Sequence, residues 1–195
     1  MSCGFATKYR LNISKIHYPC IMSELRKAVT DNPYFVTFTV VGWIDIFTRE
    51  NYCRTILDSL EFCRKNKGLK IYAYVIMPSH IHAIMQAPSL SDVIRDFKAF
   101  TAKAILNEIE TNNIESRKDW LLHMFKYFAK YESQNEKYRF WQKTSHPTEL
   151  LYTEIFNQKV NYIHNNPVEA GLVCQAEFWR YSSLCEDSYL KVDPA

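Results

Sequence analysis

Two histidines, His80 and His82, begin a β-prone segment that runs to Gln86. A second β-prone segment, Leu69–Met77, precedes them, and the Pro-Ser pair in between indicates a turn. In a strand, side chains two residues apart lie on the same face, so both imidazoles project together while Ile81 faces the other side. The sequence therefore predicts two strands joined by a turn, with a pair of histidines on one face of the sheet.

The remaining segments alternate between strand and helix patterns, without an internal repeat. Aromatic and β-branched residues predict strands, and apolar residues at helical spacing predict helices. This order predicts an α+β fold, with helices packed on one face of an antiparallel sheet. The predicted elements are a strand at Tyr34–Val41, helices at Arg49–Lys67, Ser89–Ile105 and Lys118–Tyr131, a short strand at Glu136–Gln142, and a helix at Pro147–Asn166 that Pro167 ends.

The length of 195 residues suits one domain with a sizeable core. Residues 1–31 have no clear periodicity, so we expect a poorly defined leader there. We expect a single domain over residues 32–186 and a C-terminal tail over residues 187–195. Within the domain, a helical insert at about residues 107–137 serves either packing or the binding of DNA or a partner, and packing is slightly favoured.

Charge and cysteine content narrow the class of protein. The formal net charge of +3 permits nucleic-acid binding without requiring it. The six cysteines are scattered without a C-x-x-C pair, which disfavours a structural zinc site and indicates reduced thiols in a cytoplasmic protein. No apolar run approaches the ~20 residues that cross a bilayer, so we expect no membrane partner.

A second cluster of polar residues lies near the predicted last helix. Tyr162 and Asn166 are four residues apart and share a helix face. His-x-His on a strand is a half-site for a divalent metal, and an amide can add a third ligand. The spacing leaves two alternatives open, because paired strand histidines are often structural and Tyr162 can be a core aromatic residue.

Several motifs in a fixed order carry a family resemblance. Together they resemble the REP-associated tyrosine transposases, relatives of the insertion-sequence-200 single-tyrosine transposases in the HUH endonuclease superfamily. The similarity extends over roughly residues 32–183, and the order of the motifs makes it more specific than any one of them. The motifs are Met77–His82, Phe140–Gln142, Tyr162–Val173 and Tyr181–Ser183.

This resemblance implies a role for each matching residue. His80 and His82 would bind a divalent metal, Mg or Mn, with Asn166 as the third ligand. Tyr162 would be the catalytic nucleophile. His164 lies two residues from Tyr162, so its spacing on a regular helix predicts that it faces away from the metal and supports the site or the fold. The resemblance also implies a ferredoxin-like (RRM-like) fold, in which the histidines lie on a central strand and face the tyrosine helix.

The implied activity is a metal-dependent transposase or endonuclease. It would cut and rejoin single-stranded DNA near hairpins through a 5′-phosphotyrosine, as a monomer or a homodimer. Three cations on the second predicted helix, Arg95, Lys98 and Lys103, are candidates for phosphate contacts. An ordinary solvated helix face explains them equally well.

The sequence departs from the family pattern at two positions. Ser79 stands where many relatives carry Asp or Asn, which a turn tolerates, and Glu169 stands where many carry Arg, which removes one expected phosphate contact. Two alternative functions remain, a non-catalytic nucleic-acid-binding protein and an HUH replication initiator or relaxase. A histidine-triad nucleotide hydrolase is excluded, because Ile84 occupies the position of its third histidine.

Overall fold

A four-stranded antiparallel sheet forms the centre of the molecule, in the order β2-β3-β1-β4. The computed structural model describes residues 32–132 and 137–194, so the expected leader lies outside the described residues. The α+β fold predicted from the sequence is confirmed. The strands are β1 (Tyr34–Thr39), β2 (Lys70–Ile76), β3 (His80–Gln86) and β4 (Thr148–Glu149), and the helices are α1 (Glu50–Lys67), α2 (Leu90–Thr111), α3 (Lys118–Glu132) and α4 (Thr153–Glu169).

The main core lies between one face of the sheet and helices α1, α2 and α3. Ile81 contributes to this core from β3, and Phe38 contributes from β1, where its ring lies 5.0 Å from that of Phe97 on α2. Helix α3 adds Leu121 and Phe125, both fully buried. The segment that the sequence marks as an insert therefore contributes to the core, which supports its predicted packing role.

Helix α4 covers the opposite face of the sheet. Its buried residue Ile163 joins a smaller apolar cluster that includes Phe35, Val75 and Ile84. Helices α1, α2 and α3 thus have the predicted arrangement on one face, whereas α4 packs on the face that carries the histidines. Because that face also holds apolar side chains, a covering helix removes them from water.

The register of the sheet places the histidines on an inner strand. Strand β3 lies between β1 and β2, and Thr37 pairs with His82 while Thr39 pairs with His80. The central position expected for the histidines is confirmed. Side chains of paired residues lie close together, so β1 supplies the nearest hydroxyl group to His82.

The last predicted helix differs from the observed one at both ends. The segment begins with the short strand β4, α4 starts only at Thr153, and Pro167 lies inside the helix. Proline lacks a backbone N–H, but the last turn continues through bonds from Ala170 N to Asn166 O and from Leu172 N to Pro167 O. The helix tolerates Pro167 because only one helical bond near its end is lost.

The predicted strand at Glu136–Gln142 is not formed in its described part. Only an isolated bridge joins Trp141 to Val40, and the beginning of the prediction falls outside the described residues. The indole N–H of Trp141 donates to the Thr101 hydroxyl at 3.0 Å, so this aromatic segment serves as core.

The chain's last described residues pack against the edge strand β2. Ser183 N donates to Tyr74 O, Asp193 N donates to Ile71 O, and Leu190 is buried. Hydrogen bonds of this kind satisfy backbone groups that an edge strand otherwise leaves to solvent. Within the described ranges, no helix has the length and apolarity needed to cross a membrane, and the thiols of Cys53, Cys63, Cys174 and Cys185 are free.

Candidate active site

The two strand histidines form the floor of the site. The ring centroids of His80 and His82 lie 4.8 Å apart, as expected for neighbours on one face of a strand. His82 is 7% exposed, and the ring of Phe35 stacks on it with centroids 5.4 Å apart. Packing on two sides fixes the plane of this imidazole, so its nitrogen atoms point in defined directions.

Each histidine has a hydroxyl partner at its Nδ1 atom. Thr37 Oγ1 lies 2.9 Å from Nδ1 of His82, and Ser79 Oγ lies 3.3 Å from Nδ1 of His80. A hydrogen bond at one ring nitrogen orients the ring and leaves the other nitrogen to bind a ligand. Ser79, which stands where many relatives carry Asp or Asn, therefore still supplies a polar group that orients His80.

Burial holds both imidazoles in the neutral form. It lowers the pKa of His82 to about 3, with further lowering by the neighbouring His80 and the ammonium of Lys159. Burial also lowers the pKa of His80, although a hydrogen bond with Asn166 and the carboxylate of Asp45 oppose the shift. Metals bind the neutral imidazole, so both side chains are ready for ligation at neutral pH without first losing a proton.

Tyr162 approaches this histidine pair from helix α4. Its hydroxyl oxygen lies 3.5 Å from Nε2 of His82, and the two ring centroids are 5.2 Å apart. The edge of the phenol ring also meets Phe35 at 5.9 Å. The side chain is nevertheless 39% exposed. A phenol that is fixed by its neighbours but open to solvent can meet a substrate, which a core tyrosine cannot.

Two further side chains of α4 lie on the same helix face as Tyr162. Asn166, four residues later, hydrogen-bonds to His80. Lys159, three residues earlier, places its ammonium 4.6 Å from the ring centre of Phe35 and 5.5 Å from that of Tyr162. One helix face thus brings a phenol, an amide and a cation to the histidines.

These donors fit a divalent metal ion. The hydroxyl partners at Nδ1 direct the other nitrogens of His80 and His82 toward α4, and the amide of Asn166 is in contact with His80. Among the described residues no three His, Cys, Asp or Glu side chains are grouped so that they could hold a metal ion, so a third ligand here would have to be an amide such as Asn166. Three neutral ligands leave the charge of a bound cation undiminished and leave coordination positions for substrate oxygens.

His164 lies outside this cluster, as predicted from its spacing. Its Nε2 atom is 3.0 Å from the hydroxyl oxygen of Ser183, and that oxygen also accepts the backbone N–H of Tyr74. Burial lowers the pKa of His164. The residue therefore ties α4 to the C-terminal segment along β2.

The three candidate DNA-binding cations are not near the histidines, because α2 packs on the opposite face of the sheet. Arg95 pairs with Asp92 and Asp96. Burial, followed by the charge of Arg139, lowers the pKa of Lys98 to about 8. Its ammonium donates to the carbonyls of Gln142 at 2.7 Å and Lys143 at 3.2 Å, whereas Lys103 is exposed.

Sequence reasoning missed three side chains that contact the site. Thr37 is recognisable only from the pairing of β1 with β3. Lys159 has the helical spacing that would have placed it beside Tyr162, but cations at that spacing are common on solvated faces. Trp43 carries its indole ring 5.3 Å from that of His80. The nearest sequence signal for it is the preceding Gly42, which permits a sharp turn.

Comparisons with known proteins identify the family of the chain. The family model described as "Transposase IS200 like" matches residues 44–141, a segment that contains both histidines and ends before α4. No curated protein matches the chain. A solved structure of a REP-associated tyrosine transposase bound to a REP hairpin is 19% identical, with a TM-score of 0.49 and coverage of 78% of this chain and 76% of that one. Since the family match extends over half of its residues, the chain belongs to the IS200-like transposase family.

Proposed function

We propose that the protein is a metal-dependent transposase and endonuclease that cuts and rejoins single-stranded DNA, with Tyr162 as its nucleophile. The observation that carries the proposal is the 3.5 Å separation between the Tyr162 hydroxyl and Nε2 of His82. Two separate elements bring these groups together, and the phenol remains accessible. Nucleophilic catalysis requires this combination of a fixed geometry and an open approach.

In the proposed reaction, the phenol oxygen of Tyr162 forms a bond to the phosphorus of a phosphodiester. The bond from phosphorus to the 3′-oxygen breaks, and the leaving oxygen takes up a proton in place of the one that the phenol loses. The products are a 5′-phosphotyrosine and a free 3′-hydroxyl. Because the phosphodiester bond energy is retained, attack by another 3′-hydroxyl rejoins DNA and releases the tyrosine without a nucleotide cofactor.

The groups that would hold the metal are His80, His82 and Asn166. A bound Mg or Mn ion withdraws charge from the non-bridging phosphate oxygens and thereby stabilises the transition state. Thr37 and Ser79 contribute by holding the two imidazoles in one orientation.

Lys159 has the position expected of an electrostatic partner for the reaction. Its ammonium lies over the ring of Tyr162, whose hydroxyl must become an anion to attack. A fixed positive charge there stabilises a phenolate and attracts the phosphate of the substrate. The same charge disfavours a second cation at the histidines, in agreement with its effect on the pKa of His82.

The substrate we propose is single-stranded DNA next to a hairpin. The structural support for a single strand is the exposure of Tyr162, together with exposed aromatic side chains on the same part of the surface, such as Trp43. Aromatic rings bind unpaired bases by stacking, which duplex DNA does not permit. The hairpin is an expectation that rests on the family resemblance.

The test is the formation of a covalent protein–DNA adduct. The full chain is incubated with labelled hairpin oligonucleotides that carry single-stranded flanks, with Mg or Mn, and SDS-stable adducts are resolved on a gel. We expect an adduct with the native protein, none with Tyr162→Phe, and severely reduced amounts with His80→Ala or His82→Ala. Chelation of the metal should also abolish the adduct.

Tyr152→Phe is the matched control, because Tyr152 directly precedes the same helix and is 63% exposed. This variant should form the adduct at the native rate. An adduct that persists with Tyr162→Phe but is lost with Tyr152→Phe would mean that Tyr152, and not Tyr162, is the nucleophile. Tight DNA binding without any adduct, across many substrates and both metals, would instead support a non-catalytic nucleic-acid-binding protein.

A further inference from the structure

We propose that Trp43 and Trp120 form a binding site for an unpaired nucleobase beside the catalytic histidines. The proposal rests on the proposed function, because the base belongs to the same single-stranded substrate. It goes further in assigning a site that positions the strand, separate from the groups that break the bond. The two indole rings would stack with the base next to the phosphate that Tyr162 attacks.

The location of Trp43 carries the first step of the argument. The residue follows strand β1 in a tight turn, and its ring meets that of His80 edge-on at 5.3 Å. It is 59% exposed, so most of a large aromatic surface faces solvent immediately beside a proposed metal ligand. A strand whose phosphate reaches His80 would therefore have a base within reach of this ring.

The surface next to Trp43 is a groove rather than a flat face. It encloses about 380 Å3, which lies within the range of roughly 300–1,000 Å3 that is typical of small-ligand sites. Trp120, on the first turn of α3, lines the other part of the groove and is 50% exposed. Met124, one helical turn later, also lines it, so the groove offers aromatic and polarisable surface.

The backbone of Trp43 provides a second, independent observation. Its φ angle is +55°, in the left-handed region, where a bulky residue is strained. The flanking residues Val41 and Ile44 are buried, and Val41 N donates to Phe140 O at 2.9 Å, so the turn is held from both sides. A strained residue that presents its ring to solvent gains little from packing, and such strain is concentrated at ligand-binding positions.

The charges along the groove favour a base over a phosphate. Arg117 lines the groove, but its guanidinium is bonded to the Asp45 carbonyl and the Thr48 hydroxyl and pairs with buried Glu115. The carboxylate of Asp45, which also lines the groove, carries the charge opposite to that of the Arg117 guanidinium. Opposed charges give no net attraction for phosphate, whereas stacking on an indole does not depend on charge and accepts any base.

The experiment measures DNA binding without metal, so that it does not depend on bond cleavage. The full chain in EDTA is titrated into a fluorescein-labelled hairpin oligonucleotide with single-stranded flanks, and anisotropy reports the dissociation constant. Trp43→Gly and Trp120→Ala should each weaken binding by about 5- to 100-fold, the range of base–aromatic stacking. Trp43→Phe, which keeps a ring, should retain most of the affinity.

Phe100→Ala is the matched control, since Phe100 is a similarly exposed aromatic residue (62%) on α2 and does not line the groove. It should bind DNA like the native protein. Trp43→Gly should also melt no lower than the native protein, because glycine adopts a positive φ without strain. Weaker binding by a variant of undiminished stability cannot come from a loss of folding.

Oligonucleotides with one abasic position, moved along the flank, identify the base. At one position the missing base should weaken binding by the native protein. The same missing base should have little further effect on binding by Trp43→Gly, since each change removes the same contact between the base and the indole ring. Native affinity of both tryptophan variants, or additive losses at every abasic position, would overturn the proposal. If Trp43→Gly binds DNA with native affinity and forms the adduct when metal is added, only the stacking proposal is overturned. If the tryptophan variants bind more weakly but the native protein forms no adduct with metal, only the catalytic assignment is overturned.

Discussion

The hydroxyl of Tyr162 lies 3.5 Å from Nε2 of His82, although the two residues are 80 positions apart in the chain. Helix α4 crosses the histidine face of its own sheet and is held there by the buried Ile163 and by the contact between His164 and Ser183. One chain therefore supplies the phenol, the imidazoles and the amide. The candidate site is complete without a helix from a second copy.

This arrangement predicts that inactive variants do not complement each other. His82→Ala retains the nucleophile and Tyr162→Phe retains the histidines, so an exchange of α4 between two copies would rebuild one intact site. We expect an equimolar mixture to form no adduct, because each tyrosine serves the histidines of its own chain. The measurement is the SDS-stable adduct, with a mixture of native protein and Tyr162→Phe as the positive control. Restored activity in the mixed variants would mean that copies exchange α4.

Thr37 is expected to tune the metal through His82. Thr37→Val has nearly the same shape but removes the hydroxyl that lies 2.9 Å from Nδ1. Loss of such an orienting hydrogen bond typically weakens metal affinity by about 10- to 100-fold. A titration of Mn with the rate of adduct formation as readout should show a higher half-saturating concentration, with much of the rate recovered at high metal. Thr37→Ser keeps the hydroxyl and should behave like the native protein.

Lys159 is expected to affect the metal and the reaction in opposite directions. Lys159→Met removes a positive charge that disfavours cations at His82, so metal affinity should rise modestly. The same change removes the charge beside Tyr162 and should slow adduct formation by about 10- to 100-fold at saturating metal. Lys159→Arg should recover most of the rate. A loss of both metal affinity and rate in Lys159→Met would indicate only a structural role.

Strong local patterns explain which parts of the fold were predictable. Strand β3 runs from His80 to Gln86 as predicted, because its composition and the preceding turn both mark it. Strand β4 has only two residues and depends on pairing with β1, which leaves little local signal. Pro167 was expected to end α4, yet the turn after it supplies enough bonds for the helix to continue to Glu169.

The candidate site likewise has one part that local patterns predict and another part that they do not. Spacing alone places His80 beside His82 and Tyr162 beside Asn166, because strands and helices have fixed periods. The contact between these pairs is a tertiary relationship, which the order of motifs suggests only through family resemblance. Thr37 depends on the strand register, and the exposed ring of Trp43 depends on a positive φ that no side-chain pattern encodes.

Gly42 is expected to be essential for the turn that carries Trp43. Its φ is +61°, and a Cβ atom there would meet the ring of Phe128 at 2.4 Å. Gly42→Ala should lower the free energy of unfolding by about 2–4 kcal/mol, from backbone strain and overpacking together. Gly171 is the control, with φ +70° and open space around it. Gly171→Ala should cost only about 1 kcal/mol in chemical denaturation, and equal costs would mean that Phe128 moves aside freely.

Glu115 is expected to stabilise the fold through a buried charge. Its carboxylate accepts the Tyr52 hydroxyl at 3.2 Å and the Arg117 backbone N–H at 3.1 Å. Burial raises its pKa, but this N–H, the Arg117 guanidinium, the Tyr52 hydroxyl and Arg49 together hold the pKa below the usual value. The charged form is thus favoured in the folded state, so its stabilisation is present above pH 4.5 and lost as the pH falls through the lowered pKa.

Glu115→Gln should therefore lower the free energy of unfolding by about 1.5–3 kcal/mol at pH 7. The difference from the native protein should shrink on acidification below about pH 4.5, because the native carboxyl then takes up a proton. Urea denaturation at a series of pH values gives this measurement. Glu110→Gln is the control, since Glu110 pairs with Lys137 at the surface and exposed pairs contribute little. A difference that stayed constant down to pH 3 would mean that the carboxyl has the same pKa in the folded and unfolded states, so that folding does not favour its charged form.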